Sequence, residues 1–311
     1  MSADRTIGRG VELTELSFGA AALGNLFTEV GEDEARAAVD AAWDAGIRAF
    51  DTAPHYGLGL SERRLGAALR ERPRAEFVLS TKVGRILEPV ADPVGADAEG
   101  FAVPAAFRRV WDFSGDGVRR SIEASLERLG LDRIDTVLIH DPDLHAEQAI
   151  SEAFPALAKL RSEGVIGAVG VGMNQTEVPL RFVRETNIDV VLLAGRYTLL
   201  ERSGAELLDE AAVRGVGIVI GGVFNSGLLV DPKPGSTYNY LAAPPEILNE
   251  ALRLKDVCER HGVPLRAAAL QYPQRQPAVK SVLIGARSPQ EVRDCVEMAR
   301  LPIPEALWAE V

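Results

Sequence analysis

Short apolar runs alternate along the chain with longer segments in which apolar residues recur every three or four positions. The short runs are apolar throughout, which is typical of strands in a parallel sheet that is covered on both faces. The longer segments have the period of amphipathic helices. The predicted strands are 17–23, 48–53, 77–83, 135–140, 168–174, 190–195, 217–223 and 279–285. The predicted helices are 32–45, 61–70, 117–129, 146–163, 177–186, 204–214, 247–261 and 288–299.

The ends of several predicted helices carry their own signals. Ser61 precedes Glu62 at the start of the second helix, and Ser288, Pro289 and Glu291 have the spacing of a capping box at the start of the last one. Glycine stands where five helices are expected to end, because glycine adopts the left-handed conformation of a helix C-terminus. These five residues are Gly46, Gly130, Gly164, Gly215 and Gly262.

Eight strand–helix units predict an α/β fold, a single (β/α)8 TIM barrel domain over residues 1–311. The alternative is an open doubly wound sheet, which favours the pattern G-x-G-x-x-G between an early strand and its helix. The segment GLGLSE at 57–62 does not have that glycine spacing. Two segments are longer than ordinary loops between a strand and a helix: 84–116 after the third strand, and 228–245 after the seventh.

The composition is that of a globular protein with an acidic balance. The 311 residues carry a formal net charge of −11, which argues against nucleic acid or an anionic membrane as a partner. The two cysteines are far apart and no His/Cys/Asp cluster has metal-ligand spacing, so we expect neither a disulfide framework nor a metal. No apolar run reaches the ~18 residues of a membrane span. The first residues, MSADRTIGRG, lack the apolar core of a signal peptide, so a cytoplasmic location is expected.

Four ionisable residues stand at the ends of three adjacent predicted strands, where the active site of a barrel forms. Asp51 ends the second strand and Tyr56 follows it, Lys82 lies on the third strand, and His140 ends the fourth. We expect Asp51 to hold Lys82, and Lys82 to lower the pKa of Tyr56 from its ordinary ~10. Tyr56 would then exchange a proton with a hydroxyl or carbonyl oxygen that His140 positions.

This site would still need a hydride or electron carrier, because side chains cannot supply one. A different chemistry is open on the same fold. A barrel isomerase or aldolase would use Lys82 to form a Schiff base with a carbonyl substrate.

Several segments, in order along the chain, resemble the aldo-keto reductases. They are GIRAFDTAPHYGLGLSERRLGAAL, LSTKVG, SIEASLERLGLDRIDTVLIHDPD and SVLIGARSPQEV. Asp51, Tyr56, Lys82 and His140 match the catalytic tetrad of that family. Within the family, STKVGR, HDPD and LLAGRYTLLE are most similar to the D-threo-aldose 1-dehydrogenase group, which includes L-fucose, L-galactose and pyridoxal dehydrogenases.

The resemblance implies an NAD(P)-dependent oxidoreductase with Tyr56 as general acid/base. In this group the usual reaction is oxidation of the C1 hydroxyl of an aldose of the L-fucose or L-galactose type to a lactone. Pyridoxal or a simple aldehyde is the alternative substrate on the same site. A nucleotide-binding regulatory module without turnover is the alternative of another class, and the oligomeric state is left open.

The resemblance also implies where the cofactor lies. Gly19 and Ala20 would line the nicotinamide, the segment 223–229 would hold the pyrophosphate, and GARSPQEV would meet the adenosine end. The residues expected to contact the cofactor are Gly19, Ala20, Asp51, Asn174, Val223, Asn225, Gly227, Leu229, Gly285, Arg287 and Glu291.

The chain departs from the family pattern at the contacts to both ends of the cofactor. Gly172 and Met173 replace a Ser-Asn pair that binds the carboxamide, which leaves Asn174 as the candidate, and Ala194 replaces a glutamine. At the adenosine phosphate, Gly285 and Glu291 replace a lysine and an arginine, and Arg287 is the nearest basic residue. Arginine pairs with a phosphate through two hydrogen bonds, whereas Glu291 would repel it. NAD and NADP both stay open, with NAD slightly favoured.

Five further residues are candidates for substrate contact. Trp111 and Phe113, in the first long segment, would form an apolar wall over the substrate or merely pin the segment to the barrel. Asp141 would accept a hydrogen bond from a substrate hydroxyl or cap the turn at Pro142. His55 and Arg196 are expected to face the barrel mouth.

Overall fold

Eight parallel strands close into one barrel and follow one another around it in chain order. The computed structural model describes residues 4–239 and 241–311. Its barrel strands are β1 (Leu16–Gly19), β2 (Ala49–Asp51), β3 (Val78–Val83), β4 (Thr136–His140), β5 (Ala168–Met173), β6 (Val190–Ala194), β7 (Gly217–Gly221) and β8 (Val279–Gly285). The predicted (β/α)8 barrel is therefore confirmed. Residues 1–3 of the predicted domain and residue 240 of the second predicted loop lie outside the described residues.

Helices surround the barrel. They are α1 (Glu32–Asp44), α2 (Leu60–Leu69), α3 (Gly115–Leu129), α4 (Phe154–Ser162), α5 (Glu177–Glu185), α6 (Ala205–Arg214), α7 (Pro245–Arg260), α8 (Leu265–Gln271) and α9 (Pro289–Arg300). Shorter helical turns are Ala20–Gly24, Arg74–Glu76, Asp143–His145, Ala146–Gln148, Ala149–Ala153, Tyr272–Arg275 and Glu305–Trp308. The five glycines expected at helix ends all have positive φ, between 62° and 91°, which confirms those ends.

Two helical segments differ from the simple alternation. The helix predicted over 146–163 widens into a π-helix at Ala149–Ala153, because Pro155 in α4 has no N–H to donate to the preceding turn. The helix α8 follows α7 with no strand between the two. The hydrophobic pattern does not predict α8, because helices are identified by their alternation with strands and no strand precedes this one.

The first two predicted units begin differently from expectation. The apolar run 17–23 is half strand and half turn, because the chain leaves the barrel wall after Gly19 and is buried in the 3-10 turn Ala20–Gly24. Ser61 does not cap α2, whose N-cap is Gly59 with φ 81°. The Ser61 hydroxyl is buried and donates to the Ala20 carbonyl at 2.7 Å, so a tertiary contact determines its place.

Both long loops contain short antiparallel hairpins that their sequences do not predict. In the first loop, Arg85–Pro89 pairs with Phe107–Trp111. In the second, Thr237–Tyr238 pairs with Leu241–Ala242. The two strands of the first hairpin are separated by a long connection rather than a tight turn, so the usual turn signal is missing. This hairpin extends from the C-terminal end of β3, beside the barrel mouth.

A third hairpin closes the opposite end of the barrel. Thr6–Ile7 pairs with Val11–Glu12, and Ile7 and Val11 pack with barrel residues such as Val190 near the strand starts. The outer faces of the strands are buried against the helices in one large apolar core. Because one end is filled, the C-terminal ends of the strands are the open end, and this is where the predicted polar residues lie.

A buried carboxylate joins α2, α3 and β3. Glu62 is fully buried in α2 and accepts a hydrogen bond from Thr81 Oγ1 of β3 at 2.8 Å. Its other oxygen accepts from Arg128 Nε of α3 at 2.5 Å. A buried ion pair is costly to break because the remaining charge loses its partner in a region of low dielectric constant.

Glu62→Ala is therefore expected to lower the free energy of unfolding by about 3–5 kcal/mol, measured by urea denaturation. Glu71→Ala is the matched control, because Glu71 pairs with Arg36 on an exposed surface, where an ion pair contributes little. Equal losses in the two variants would contradict a structural role specific to the buried carboxylate.

Candidate active site

A buried ion pair lies at the mouth of the barrel. Asp51 ends β2 directly opposite Ser80 of β3, and Lys82 follows two residues later on the same face of β3. Lys82 Nζ donates to Asp51 Oδ2 at 2.6 Å and to the Thr52 carbonyl at 2.9 Å. Asp51 Oδ1 accepts from Ser80 Oγ at 2.6 Å. Lys82 and Asp51 are 1% and 3% exposed, so the pair is rigid and protected from solvent.

The loop after β2 brings Tyr56 next to this pair. Gly57 has φ 61°, and a Cβ there would lie 2.2 Å from the carbonyl oxygen of Gly24. Only glycine therefore allows the loop to pack so closely on the turn that follows β1. As a result, Lys82 Nζ lies 4.7 Å from the centre of the Tyr56 ring.

Burial and the charge of the neighbouring partner shift the pKa of Tyr56, and that of Lys82, in opposite directions. Burial raises the pKa of the Tyr56 phenol above its ordinary value, Lys82 lowers it, and Asp51 raises it. The lysine thus acts in the direction expected from the sequence, but the expectation of a lowered pKa is wrong for the free protein because burial outweighs it. Burial would also lower the pKa of Lys82, but Asp51 and Tyr56 raise it above its ordinary value. Lys82 is therefore an ammonium at neutral pH.

Two histidines face Tyr56, and both are neutral. The His140 ring lies 5.8 Å from the Tyr56 ring and 5.6 Å from the His55 ring, between centres. Burial, with added repulsion from Arg85 and Lys82, lowers the pKa of His140 well below its usual range. The same causes lower the pKa of His55 to about 2. A neutral His140 can donate one hydrogen bond to a bound group without placing a positive charge beside the phenol.

The first long loop contributes charged residues to the mouth that the sequence did not single out. The chain turns out of β3 at Gly84, which has φ 107°, and a Cβ there would lie 2.2 Å from the Phe113 ring. This turn places Arg85 over the cleft, where its guanidinium pairs with Asp141. Arg85 comes three residues after Lys82, so a charge just beyond a strand end is the signal that would have identified it.

Further ion pairs extend this cluster. Arg109, on the second strand of the hairpin, binds Asp97 at 2.6 Å and lies 3.4 Å from Glu99. Glu99 also lies 3.7 Å from Arg85 and 3.8 Å from the His55 ring nitrogen Nδ1. Charges of both signs therefore surround the mouth in near balance.

A cleft of about 440 Å³ opens beside these groups. Its lining brings together the predicted residues Tyr56, Lys82 and His140 with the predicted substrate residues His55 and Asp141. Asn174 and Ala194 also line it, together with Arg85, Glu99 and Phe101, which the sequence did not single out.

The two aromatic residues of the first loop lie apart from this lining. Phe113 is fully buried in the core, so its side chain does not reach the cleft and instead holds the hairpin to the barrel. Trp111 is 44% exposed and stacks on Phe113 with ring centres 5.9 Å apart. The Arg85 guanidinium lies over the Trp111 ring at 4.4 Å, so Trp111 supports a residue that lines the cleft.

Most of the residues expected along the cofactor end or follow β7, β8 and β1, which form one rim of the barrel, whereas Asp51 ends β2 and Asn174 follows β5. Gly285 and Gly19 end β8 and β1 and are paired in register. A Cβ at Gly285, or at Gly227 after β7, would meet no atom within 4 Å, so the rim is open at both places. Asn225, Ser226 and Gly227 have φ of 47°, 58° and 88°, so the backbone turns tightly beside this open rim.

Several of the expected cofactor residues present backbone rather than side chain. Ala20, Val223 and Leu229 are buried in the core. Asn225 is also buried, and its amide oxygen accepts from Thr198 Oγ1 at 2.7 Å. A cofactor on this rim would therefore meet main-chain atoms in the segment 223–229.

Arg287 and Glu291 interact with each other at the far end of the rim. Glu291 Oε2 accepts from the Arg287 backbone N–H at 2.9 Å, and Glu291 Oε1 lies 3.4 Å from Arg287 Nε. Arg287 Nη1 also donates to Thr28 Oγ1 at 3.2 Å. The predicted capping box is half formed, because the Ser288 hydroxyl accepts from the Glu291 N–H at 3.3 Å while the Glu291 side chain caps Arg287 instead.

Arg196 lies outside the cleft. Its Nη1 donates to Asn239 Oδ1 at 3.1 Å, which ties the loop after β6 to the second long loop. Within 4–239 and 241–311, no group of three or more His, Cys, Asp or Glu residues is arranged to hold a metal ion. In the same ranges no helix is long and apolar enough to cross a membrane.

Comparison with known proteins gives one consistent result. The model of the aldo/keto reductase family matches residues 15–311. A D-threo-aldose 1-dehydrogenase from a Pseudomonas species is 49% identical over 97% of this chain and 94% of its own. A pyridoxal 4-dehydrogenase from Microbacterium luteolum is 42% identical over 99% of this chain and 96% of its own. The solved holo structure of an aldo-keto reductase from Bacillus halodurans is 27% identical, with a TM-score of 0.78 over 97% of this chain and 92% of its own.

Lys82→Met is expected to raise the pKa of Tyr56 further, because it removes the cation that favours the phenolate and leaves the Asp51 carboxylate that opposes it. The measurement is a pH titration of ring-labelled tyrosine by NMR, with Tyr56→Phe to assign the resonance. Lys255→Met, which removes an exposed lysine paired with Asp231, serves as the control. A Tyr56 titration that is the same in both variants would show that Lys82 does not act on the phenol.

Proposed function

Because the chain belongs to the aldo/keto reductase family and is therefore an NAD(P)H-dependent oxidoreductase, we propose that it oxidises the C1 hydroxyl of an aldose to a lactone. The substrate is an aldose of the L-fucose or L-galactose type. The observation that carries this proposal is the buried Lys82–Asp51 pair beneath the Tyr56 ring, with neutral His140 facing it. This arrangement provides a proton acceptor with its charge partner already in place.

The substrate sits in the cleft with its C1 hydroxyl toward Tyr56 and His140. Because burial raises the pKa of Tyr56, the group is a phenol in the free protein and first loses its proton to solvent. The resulting phenolate takes the hydroxyl proton as the C1–H bond breaks, and the electrons of the O–H bond become the carbonyl bond of the lactone. The bound cofactor supplies the acceptor for the hydride that leaves C1. In the reverse direction, the Tyr56 phenol returns its proton to the carbonyl oxygen.

Lys82 and His140 support this transfer in different ways. The Lys82 ammonium stabilises the phenolate that accepts the proton, and Asp51 keeps that ammonium charged although it is buried. His140 donates one hydrogen bond to the reacting oxygen, which orients the hydroxyl toward Tyr56. Burial at the mouth excludes water and strengthens each of these interactions.

The rim fits an extended dinucleotide cofactor. Gly227 and Gly285 leave open space along the rim, and the tight turn over 225–227 would bring main-chain atoms next to the pyrophosphate. Gly19, Ala20, Asp51 and Asn174 are the remaining groups assigned to the nicotinamide end. At the adenosine end, Glu291 forms an ion pair with Arg287, which leaves this arginine less available to a 2′-phosphate. We therefore infer that NAD is favoured over NADP.

The substrate assignment rests on similarity and on the polarity of the cleft. The aldose dehydrogenase relative shares 49% identity, more than the pyridoxal dehydrogenase relative at 42%. The charged residues around the mouth suit a substrate that carries several hydroxyl groups. Pyridoxal is the second candidate because its relative covers the chain equally well.

The test panel contains the aldoses L-fucose, L-galactose, D-arabinose and L-glucose, together with pyridoxal. The wild-type protein is expected to reduce its cofactor with one or more of the aldoses. Each compound is offered with NAD and with NADP, and reduced nicotinamide is followed by absorbance. Tyr56→Phe should lower kcat by about 100- to 10,000-fold, because it removes the proton acceptor, while cofactor binding stays nearly intact. Tyr272→Phe, which alters a tyrosine outside the cleft lining, is the control.

Each other outcome of the panel has a distinct meaning. Turnover of pyridoxal alone would be consistent with the role of Tyr56 but would show that the substrate is pyridoxal and not an aldose. Cofactor binding without turnover of any compound would favour a regulatory nucleotide-binding module. A Tyr56→Phe variant with the wild-type rate would disprove the acid/base role of Tyr56.

Glu291→Gln is expected to raise the ratio of kcat/KM with NADP to kcat/KM with NAD by about 3- to 10-fold. The variant removes a carboxylate that repels a 2′-phosphate and releases Arg287 to pair with it. Glu297→Gln, which changes an exposed residue of the same helix α9, is the matched control. An unchanged ratio would place the 2′ position away from Arg287.

A further inference from the structure

Arg85 and Asp141 form an ion pair beside the reacting groups that the proposed proton transfer does not use. Arg85 enters from the hairpin after β3, and Asp141 directly follows His140 at the end of β4. Both residues line the cleft that contains Tyr56. Arg85 is buried and Asp141 is partly buried, so the pair lies beside Tyr56 where solvent is largely excluded.

The Arg85 guanidinium keeps a hydrogen-bond donor available. Arg85 is 9% exposed, and Nη2 donates to Asp141. Among the described residues, Nη1 makes no hydrogen bond, since its nearest carboxylate oxygen, on Glu99, lies 3.7 Å away. The ring of Trp111 under the guanidinium fixes its plane. A rigid donor thus faces the cleft.

Asp141 keeps an acceptor available at the same place. Its Oδ2 accepts from Arg85 and lies 3.5 Å from His140 Nε2, whereas Oδ1 accepts no hydrogen bond from the described residues. The backbone of Asp141 has φ 41°, a left-handed conformation that aspartate adopts more readily than most residues other than glycine. The Asp141 N–H donates to the Gly172 carbonyl at 3.0 Å, which holds that conformation. The position of the carboxylate at the cleft is therefore fixed by the backbone.

We propose that Arg85 and Asp141 are specificity-determining residues that bind one hydroxyl group of the substrate, the one next to the carbon that is oxidised. Arg85 Nη1 donates to the oxygen of this hydroxyl, and Asp141 Oδ1 accepts a hydrogen bond from its O–H. This proposal rests on the proposed function and names the feature that the substrate must carry, a hydroxyl on the carbon next to the one that is oxidised. The pair contacts the hydroxyl next to C1 because Asp141 lies beside His140, which binds the C1 oxygen.

The charges around the pair favour an uncharged polyol over an anion. Asp141 and Glu99 both face Arg85, so one cation is matched by two carboxylates. The second nearby cation, Arg109, is already bound to Asp97. A substrate with a carboxylate or phosphate at this position would meet net negative charge, whereas a hydroxyl group meets one donor and one acceptor.

The test compares L-fucose with 2-deoxy-L-fucose, and L-galactose with 2-deoxy-L-galactose. The wild-type enzyme should prefer the parent sugar by about 10- to 100-fold in kcat/KM, the usual effect of a hydrogen bond to a charged group. Arg85→Gln and Asp141→Asn should each lower kcat/KM on the parent sugar much more than on the deoxy sugar. The ratio of kcat/KM on the parent sugar to kcat/KM on the deoxy sugar should then fall toward one. A variant that only disturbed the structure would lower kcat/KM equally on both sugars and leave this ratio unchanged.

Arg108→Gln is the matched control. Arg108 lies on the same hairpin as Arg109, is 71% exposed, and pairs with Glu88 outside the cleft. It should leave the preference for the parent sugar unchanged. Arg85→Lys keeps a cation near Asp141 but loses the planar fork, so its preference should lie between those of wild type and Arg85→Gln.

The outcomes separate the two proposals. If the wild type oxidises neither sugar of either pair, the proposed aldose dehydrogenase function fails and this inference fails with it. If the wild type oxidises them, and Arg85→Gln and Asp141→Asn keep the wild-type preference for the parent sugar, the role of Arg85 and Asp141 is wrong while the proposed function stands.

Discussion

The buried ion pair between Lys82 and Asp51 is the interaction on which the site depends. Two charges lie out of water at the mouth of the barrel, and each is stabilised by the other and by hydrogen bonds from Ser80 and to Thr52. Burial lowers the pKa of Lys82, and the Asp51 carboxylate, together with Tyr56, raises it above its ordinary value. Adjacent parallel strands hold both partners, which fixes the position of the cation to which Tyr56 responds.

Placement of Tyr56 above this pair depends on close backbone packing rather than on further charges. Gly57 lets its loop rest on the turn after β1, and that same turn receives the Ser61 hydroxyl of α2. The neighbouring histidines stay neutral because they are buried among cations. As a result, the Lys82 ammonium, the Tyr56 phenol and the neutral His140 ring lie together, which suits proton exchange with a hydroxyl group.

The scaffold and the substrate contacts come from different parts of the chain. Barrel strands hold Asp51, Lys82 and His140, whereas the hairpin after β3 brings Arg85 to the cleft. This division is common in barrel enzymes, in which the loops vary and the strands do not. In this protein the hairpin is itself fixed, by Phe113 in the core and by the turn at Gly84. A change of substrate would therefore be expected to come from this hairpin rather than from the barrel.

The sequence by itself determined the alternation of strands and helices, the helix ends at glycine, and the presence of Asp51, Lys82 and His140 at strand ends. These features depend on local periodicity and on the rule that parallel strands in a barrel point the same way. Only the tertiary structure decided that 84–116 contains a hairpin, that Arg85 meets Asp141, and that burial raises the pKa of Tyr56. Each of these depends on residues far apart in the chain and on how completely water is excluded, and neither quantity is encoded in a local pattern.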